Sequence, residues 1–174
     1  MGYPSMDFTR IRKSANSGTI LAVLSVLALT LGMFSSGCGG RDPIEQEFRE
    51  LMRIPGGPAR YRVFRQKPYC RQIDIYLYGM SKRPPLILAH YVAGNGKDIL
   101  PVLLDRLEKE PVERNQEALI LVLSNMATLD PTLKENKEVV ELVQRKVKGM
   151  SGGYRSEAEK SLHNILHPKQ PSPN

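Results

Sequence analysis

Three histidines, two cysteines and one glycine-lysine pair are the residues whose types invite chemistry, and their spacing decides whether a reaction is in view. Glu159, His163 and His167 recur every four positions, which puts them on one face of a helix, a geometry that holds zinc when a further ligand is near. No further ligand is in reach, and histidines near a helix C-terminus are favoured by its partial negative charge anyway, so no metal site is expected. Residues 93–98, AGNGKD, have a Gly-Lys pair but lack the leading glycine and the following Ser or Thr of a phosphate-cradling loop; they read as a turn between helices. His90, within LILAHYV, reads as an interior or rim histidine. With no activated nucleophile and no acid–base pair, the sequence nominates no catalytic residue and no cofactor, and the chain is not expected to be an enzyme.

The cysteines lead elsewhere. Cys38 closes the stretch GTILAVLSVLALTLGMFSSGC, residues 18–38. No charged residue stands between Lys13 and Arg41, and Arg10, Arg12 and Lys13 precede the apolar run, in the order of an export signal: basic region, apolar core, small residues, cleavage. The core of that run, residues 20–34, is shorter than the ~20 residues that span a bilayer comfortably. Counting residues 14–40 as one uncharged run keeps a permanent anchor possible.

Ser35, Ser36, Gly37 and Cys38 resemble the lipobox of bacterial lipoproteins, with Ser35 standing where that family usually has Leu. The resemblance implies that residues 1–37 are removed, that Cys38 is lipidated, and that the rest is held by a lipid anchor in the bacterial cell envelope, at the outer membrane or the periplasmic face in a Gram-negative cell. An uncleaved anchor and an ordinary secretory signal are the alternatives, and each places the remainder outside the cytoplasm.

Removing residues 1–37 leaves 137 of the 174 residues, enough for one domain with a core. That part carries 22 basic and 17 acidic residues, unevenly placed. From Leu51 to Lys97 nine basic residues face the single acid Asp74, while from Asp98 onward eleven basic residues balance twelve acidic ones. Arg60, Arg62, Arg65, Lys67, Arg71, Lys82 and Arg83 form the candidate basic surface, with Tyr61, Phe64 and Tyr69 between them. The export signal argues against nucleic acid as its partner, which leaves a solvated face or attraction to anionic lipid, glycan or cell-wall polymer. Cys70 falls in the row Tyr69, Ile73, Tyr76, Leu77 and Met80 and reads as a small buried hydrophobe, with a redox role as the alternative.

Helical periodicity positions these residues. Residues 44–54 offer Ile44, Phe48, Leu51 and Met52 on one face, ended by Pro55-Gly56-Gly57-Pro58. Residues 38–67 are therefore expected to be a lipid-anchored tether with one short helix and a basic linker. Further helices are expected over 68–80, 84–93, 98–109, 112–128, 136–148 and 154–166, separated by Pro84-Pro85, Gly94-Asn95-Gly96, Pro111, Asp130-Pro131 and the glycines 149–153. The tail, 167–174, has three prolines and is expected to be disordered. Nothing alternates with a two-residue period, so the fold class is all-α.

An offset of forty residues superposes Ile99 on Val139, Leu103 on Val143, Leu107 on Val147, Ala118 on Ala158 and Val122 on Leu162. A period of this length, with two amphipathic helices in each unit, marks stacked hairpins that cannot bury their apolar faces alone. Tyr154-Arg155, Ala158 and Ser161-Leu162 resemble the second helix of HEAT repeats, which begins with Val-Arg and has alanine three positions on. The resemblance implies a HEAT-like helical-repeat domain over 68–166: a short right-handed α-solenoid of about three hairpins behind the N-terminal signal or anchor helix. Residues 68–93 would be its degenerate first unit. The function expected is a non-enzymatic scaffold or adaptor for another envelope protein; the alternatives are binding of an anionic polymer or lipid by the basic surface, and service as an accessory to an envelope enzyme.

Overall fold

Asp42 opens the first described helix, its carboxylate accepting the Ile44 amide at 2.9 Å and so satisfying one of the donors a helix start leaves free. The structure is a computed structural model that describes residues 42–55, 57–82 and 86–168. The residues read as an export signal, with Cys38, Arg83 and the tail from 169, lie outside the described residues. Among the described residues there are eight α-helices and no strand, so the all-α expectation holds. They are α1 (Pro43–Arg53), α2 (Gly57–Arg65), α3 (Tyr69–Lys82), α4 (Leu86–Ala93), α5 (Leu100–Lys109), α6 (Glu113–Leu129), α7 (Lys137–Gly149) and α8 (Gly152–Leu166). Short 3-10 turns, Gly96–Ile99 and Pro131–Glu135, lead into α5 and α7.

Each punctuating residue does local work. Asn136 caps α7 by accepting the Val139 amide at 3.3 Å. Asp130 does the same for the 3-10 turn through the Thr132 amide at 3.1 Å. Pro101 sits in the first turn of α5, where a missing N–H costs nothing to the helix ladder. Gly96 turns the chain with φ of 64°, a backbone conformation that side chains resist. At Gly94 the reason is room: a β-carbon there would stand 2.7 Å from the Tyr61 hydroxyl oxygen.

The helices pack as hairpins laid beside one another. Besides its contacts with α3 and with the preceding helix α5, α6 packs against α4 and α8, and α5 contacts both α3 and α7. The register is fixed by polar bonds between residues about forty positions apart. Asn164 donates to the Ser124 hydroxyl at 2.8 Å, and Lys146 donates to the Glu108 carbonyl at 2.7 Å. The Ser151 amide donates to the Glu113 carboxylate at 3.2 Å. Forward in the chain, the Arg114 guanidinium donates to the Met80 carbonyl and the buried Tyr76 hydroxyl to the Ala118 carbonyl at 2.9 Å. One continuous apolar core results, from Leu51 to Ile165, with Ala118 and Ala158 both fully buried.

Residues 57–65 are helix α2 where the sequence suggested a basic linker, and they belong to the same core. Pro58 is tolerated because it stands in the first turn, so the Pro-Gly-Gly-Pro cluster separates two helices instead of ending helical structure. α1 packs on α3 and α2 on α4, with Leu51 and Phe64 as their buried anchors. Full burial of side chains of this size contributes on the order of 2 kcal/mol each, enough to fix two short helices.

Two further expectations are corrected. Cys70 is exposed: it lies on the flank of α3 with Asp74, Tyr78 and Ser81, at helical spacing, while Gln72 takes the buried position beside Ile73. His90 is exposed as well, on the outer row of α4 with Leu86 and Ile87.

Candidate interaction surfaces

The basic residues of the N-terminal half come from α2, α3 and the turn between them, and most are engaged within the protein. Arg60 turns its guanidinium onto the end of α1, donating from Nη2 to the Ile54 carbonyl at 2.9 Å and the Met52 carbonyl at 3.4 Å. A cation there answers carbonyls that the helix leaves without partners. Its Nε is buried without a hydrogen-bond partner in the structure.

Lys67 and Arg71 converge on one carboxylate. Lys67 reaches Glu47 Oε2 at 2.7 Å, and Arg71 reaches Glu47 Oε1 through Nε at 2.9 Å and Nη2 at 2.8 Å. These hydrogen bonds, Arg71 first and Lys67 second, hold the Glu47 carboxyl below its ordinary range. Arg65 donates to Asn95 Oδ1 at 3.3 Å and covers the Tyr61 ring at 5.5 Å. Asn95 in turn donates to Gln72 Oε1 at 2.8 Å, and Gln72 to the Lys67 carbonyl at 2.8 Å, a buried polar chain joining α2, α3 and the turn after α4. Arg62 is exposed, and Lys82 lies over the Tyr78 ring at 5.4 Å. The candidate basic surface is thus mainly a set of internal ties, with Arg62, Arg65 and Lys82 exposed.

A different surface gathers charge of the opposite sign. Between α5 and α7 runs an open groove of about 650 Å³, floored by Leu100, Leu104 and Leu142 with Pro101. Its rims carry Asp105 and Glu108 from α5, and Glu138 and Glu141 from α7, each pair at i, i+3 spacing and so on one side of its helix. Arg145 is the one cation lining it, and it pairs with Glu108; Asp105 pairs with Lys109 at 2.6 Å outside the lining. Glu138 and Glu141 have no ion-pair partner among the described residues. An apolar floor between carboxylate rims is the complement of a segment that alternates apolar and basic side chains.

No reactive constellation accompanies these surfaces. Glu159 accepts from Arg155 at 2.8 Å, and the His163 and His167 rings lie 4.8 Å apart near the end of α8. Among the described residues no three His, Cys, Asp or Glu converge as metal ligands. Two groups have raised titration. Burial pushes the Tyr76 phenol up, and burial, followed by repulsion from Glu157, raises the Glu117 carboxyl. At the end of α6, Thr132 and then Lys97 hold the Asp130 carboxyl below its usual range.

Sequence reasoning singled out the arginines because they cluster along the chain, and it missed the groove because its acids come from two segments. Their signal was present as two i, i+3 acid pairs about thirty residues apart, meaningful only once α5 and α7 are side by side. No family model matches the chain, and no curated protein or solved structure does either.

Proposed function

We propose that this protein is a lipoprotein of the bacterial cell envelope, anchored at Cys38, whose hairpins stack as a short, right-handed, HEAT-like solenoid, and that it acts without catalysis as an adaptor for another envelope protein. The forty-residue register supports the solenoid reading: Asn164 on Ser124 pairs positions that the repeat makes equivalent, and Glu113 on Ser151 and Glu108 on Lys146 fall within two residues of it. Such stacking yields an extended surface without a deep cleft. The groove between α5 and α7 carries the adaptor reading, because carboxylate rims on both sides of an apolar floor suit a partner segment that carries basic side chains.

The anchor is tested by intact mass and membrane partition of the chain made in a bacterial host, wild type beside Cys38→Ser. A chain that begins at Cys38 with acyl mass, lost in the variant, supports the reading; an unprocessed cytoplasmic chain overturns it. The adaptor role is tested by in-cell crosslinking from Glu141→Cys, with Glu138→Lys in a parallel chain. One discrete crosslinked protein that Glu138→Lys removes is the expected outcome. Crosslinks unaffected by Glu138→Lys overturn the groove as the docking surface.

A further inference from the structure

Helices α6 and α8 run parallel. Ser151, the residue before α8, bonds to Glu113 at the start of α6, and Asn164, further along α8, bonds to Ser124, further along α6. Glu117 and Glu157 stand seven residues before Ser124 and Asn164 respectively, about two helical turns. Because Ser124 and Asn164 touch at 2.8 Å, the two glutamates face one another across the same interface. Ala118 and Ala158, the next residues, are both fully buried. Close packing of the two helices thus brings two carboxylates to one level, Glu117 half-buried and Glu157 exposed.

The groups around Glu117 leave that repulsion standing. Burial comes first in raising its carboxyl, Glu157 second, and Arg114 on its own helix opposes them. The Arg114 guanidinium is bonded to the Met80 carbonyl, and Glu113, one turn before Glu117, accepts the Ser151 amide at 3.2 Å. From α3 comes the buried Tyr76, whose hydroxyl donates to the Ala118 carbonyl. On α4 the titratable groups are His90, which is exposed, and Tyr91, which donates to the Gly57 carbonyl. From α5, Asp105 and Glu108 line the groove, Arg106 meets Asp74 and Glu110, and Lys109 meets Asp105. Lys134 and Glu135 lie in the 3-10 turn that follows the opposite end of α6. On α8, Arg155 pairs with Glu159, and Lys160 reaches Glu157 at 2.6 Å in an exposed pair, which screens its charge only weakly.

The start of α8 is also the weakest part of that helix. Residues 151–157 are all exposed. Its first two residues are Gly152 and Gly153, which favour helix less than any residue but proline, and no side chain caps its first turn. Its later turns are held by the buried Ile165 and by Asn164 on Ser124. We infer that the first two turns of α8 are a latch on α6 that closes in acid and opens as pH rises, driven by Glu117 and Glu157. Opening bares the flank of α6 around Ala118, with the Asn164–Ser124 bond left as the fixed end. A carboxyl raised in the closed state favours closure in acid: its contribution is fully present below the ordinary value of 4.5 and is lost as pH rises through the raised value.

Amide exchange of the full chain, read by mass spectrometry and corrected for intrinsic rates, tests this from pH 4.5, the ordinary value of such a carboxyl, into the mildly alkaline range. Peptides over 152–160 are expected to lose protection severalfold relative to 119–123 as pH rises. Glu117→Gln should keep that protection level across pH. Glu157→Lys, at an exposed position, should raise it at neutral pH by turning repulsion into attraction. Protection over 152–160 that does not change with pH overturns the latch. An equal loss over 152–160 and 119–123 overturns it too, because the whole fold then loosens together. A wild-type slope retained in either variant overturns the glutamate pair as the cause.

Discussion

Asn164 and Ser124, forty positions apart, share a hydrogen bond of 2.8 Å between the carboxamide and the hydroxyl, and the same amide nitrogen reaches the Ser124 carbonyl at 3.1 Å. One side chain thereby holds α8 against α6 at a fixed register. Asn164→Ala is expected to lower stability by about 1 kcal/mol, the usual net worth of such a bond. A double-mutant cycle with Ser124→Ala should return a coupling of at least ~0.5 kcal/mol in urea unfolding. Additive single variants would mean that the bond does not hold the helices in solution.

Ala118 sets how closely α6 approaches its neighbours. It is fully buried, and its carbonyl receives the Tyr76 hydroxyl at 2.9 Å. Ala118→Leu adds three heavy atoms where none fit and is expected to cost ~1 to 3 kcal/mol. Thermal unfolding measures it, and an unchanged midpoint would refute the tight contact.

Two glutamates give stability opposite slopes in pH. The Glu117 carboxyl is raised above its ordinary value of 4.5, so its contribution is fully present in acid and is lost as pH rises through the raised value. Glu117→Gln should match wild type in acid and exceed it at neutral pH. The Glu47 carboxyl is lowered from the same value by Arg71 and Lys67, so its contribution is present above 4.5 and is lost as pH falls through the depressed value. Glu47→Gln should lose on the order of 1 kcal/mol at neutral pH and nothing in strong acid, a modest figure because the ion pairs are partly exposed. Chemical denaturation across pH checks both signs.

Cys70 lies exposed on α3 with no disulfide partner among the described residues. In a Cys38→Ser chain it should react with maleimide as readily in native buffer as in denaturant. Strong protection in the native state would return it to the interior.

Most helices were legible in the sequence because their apolar residues recur with a period that only one face of a helix satisfies, and because prolines, glycines and caps stand at their ends. Helix α2 was not. Its nine residues bury only Phe64, and the Pro-Gly-Gly-Pro cluster before it looks the same whether it ends structure or joins two helices. Cys70 was misplaced by one row, since Tyr69, Cys70 and Ile73 fit two neighbouring faces and the choice depends on where α1 and α2 pack. Of the basic residues, the sequence showed the number and could not show that Arg60 would meet the end of α1, or that Glu47 would claim both Lys67 and Arg71. The groove was illegible for a related reason: complementarity across two helices is a property of their pairing, and periodicity within each helix carries no information about it.

Because α6 is covered by α4, α5 and α8 and buries eight of its own side chains, the molecule does not open evenly. Helix α1 packs on α2 and α3, so it can detach without uncovering α6. Amide protons of 119–123 should therefore be the last to exchange with solvent, after those of the outer helices. The fold thus has an inside in time as well as in space, and a partner gripping α1 would act first on the part that is easiest to move.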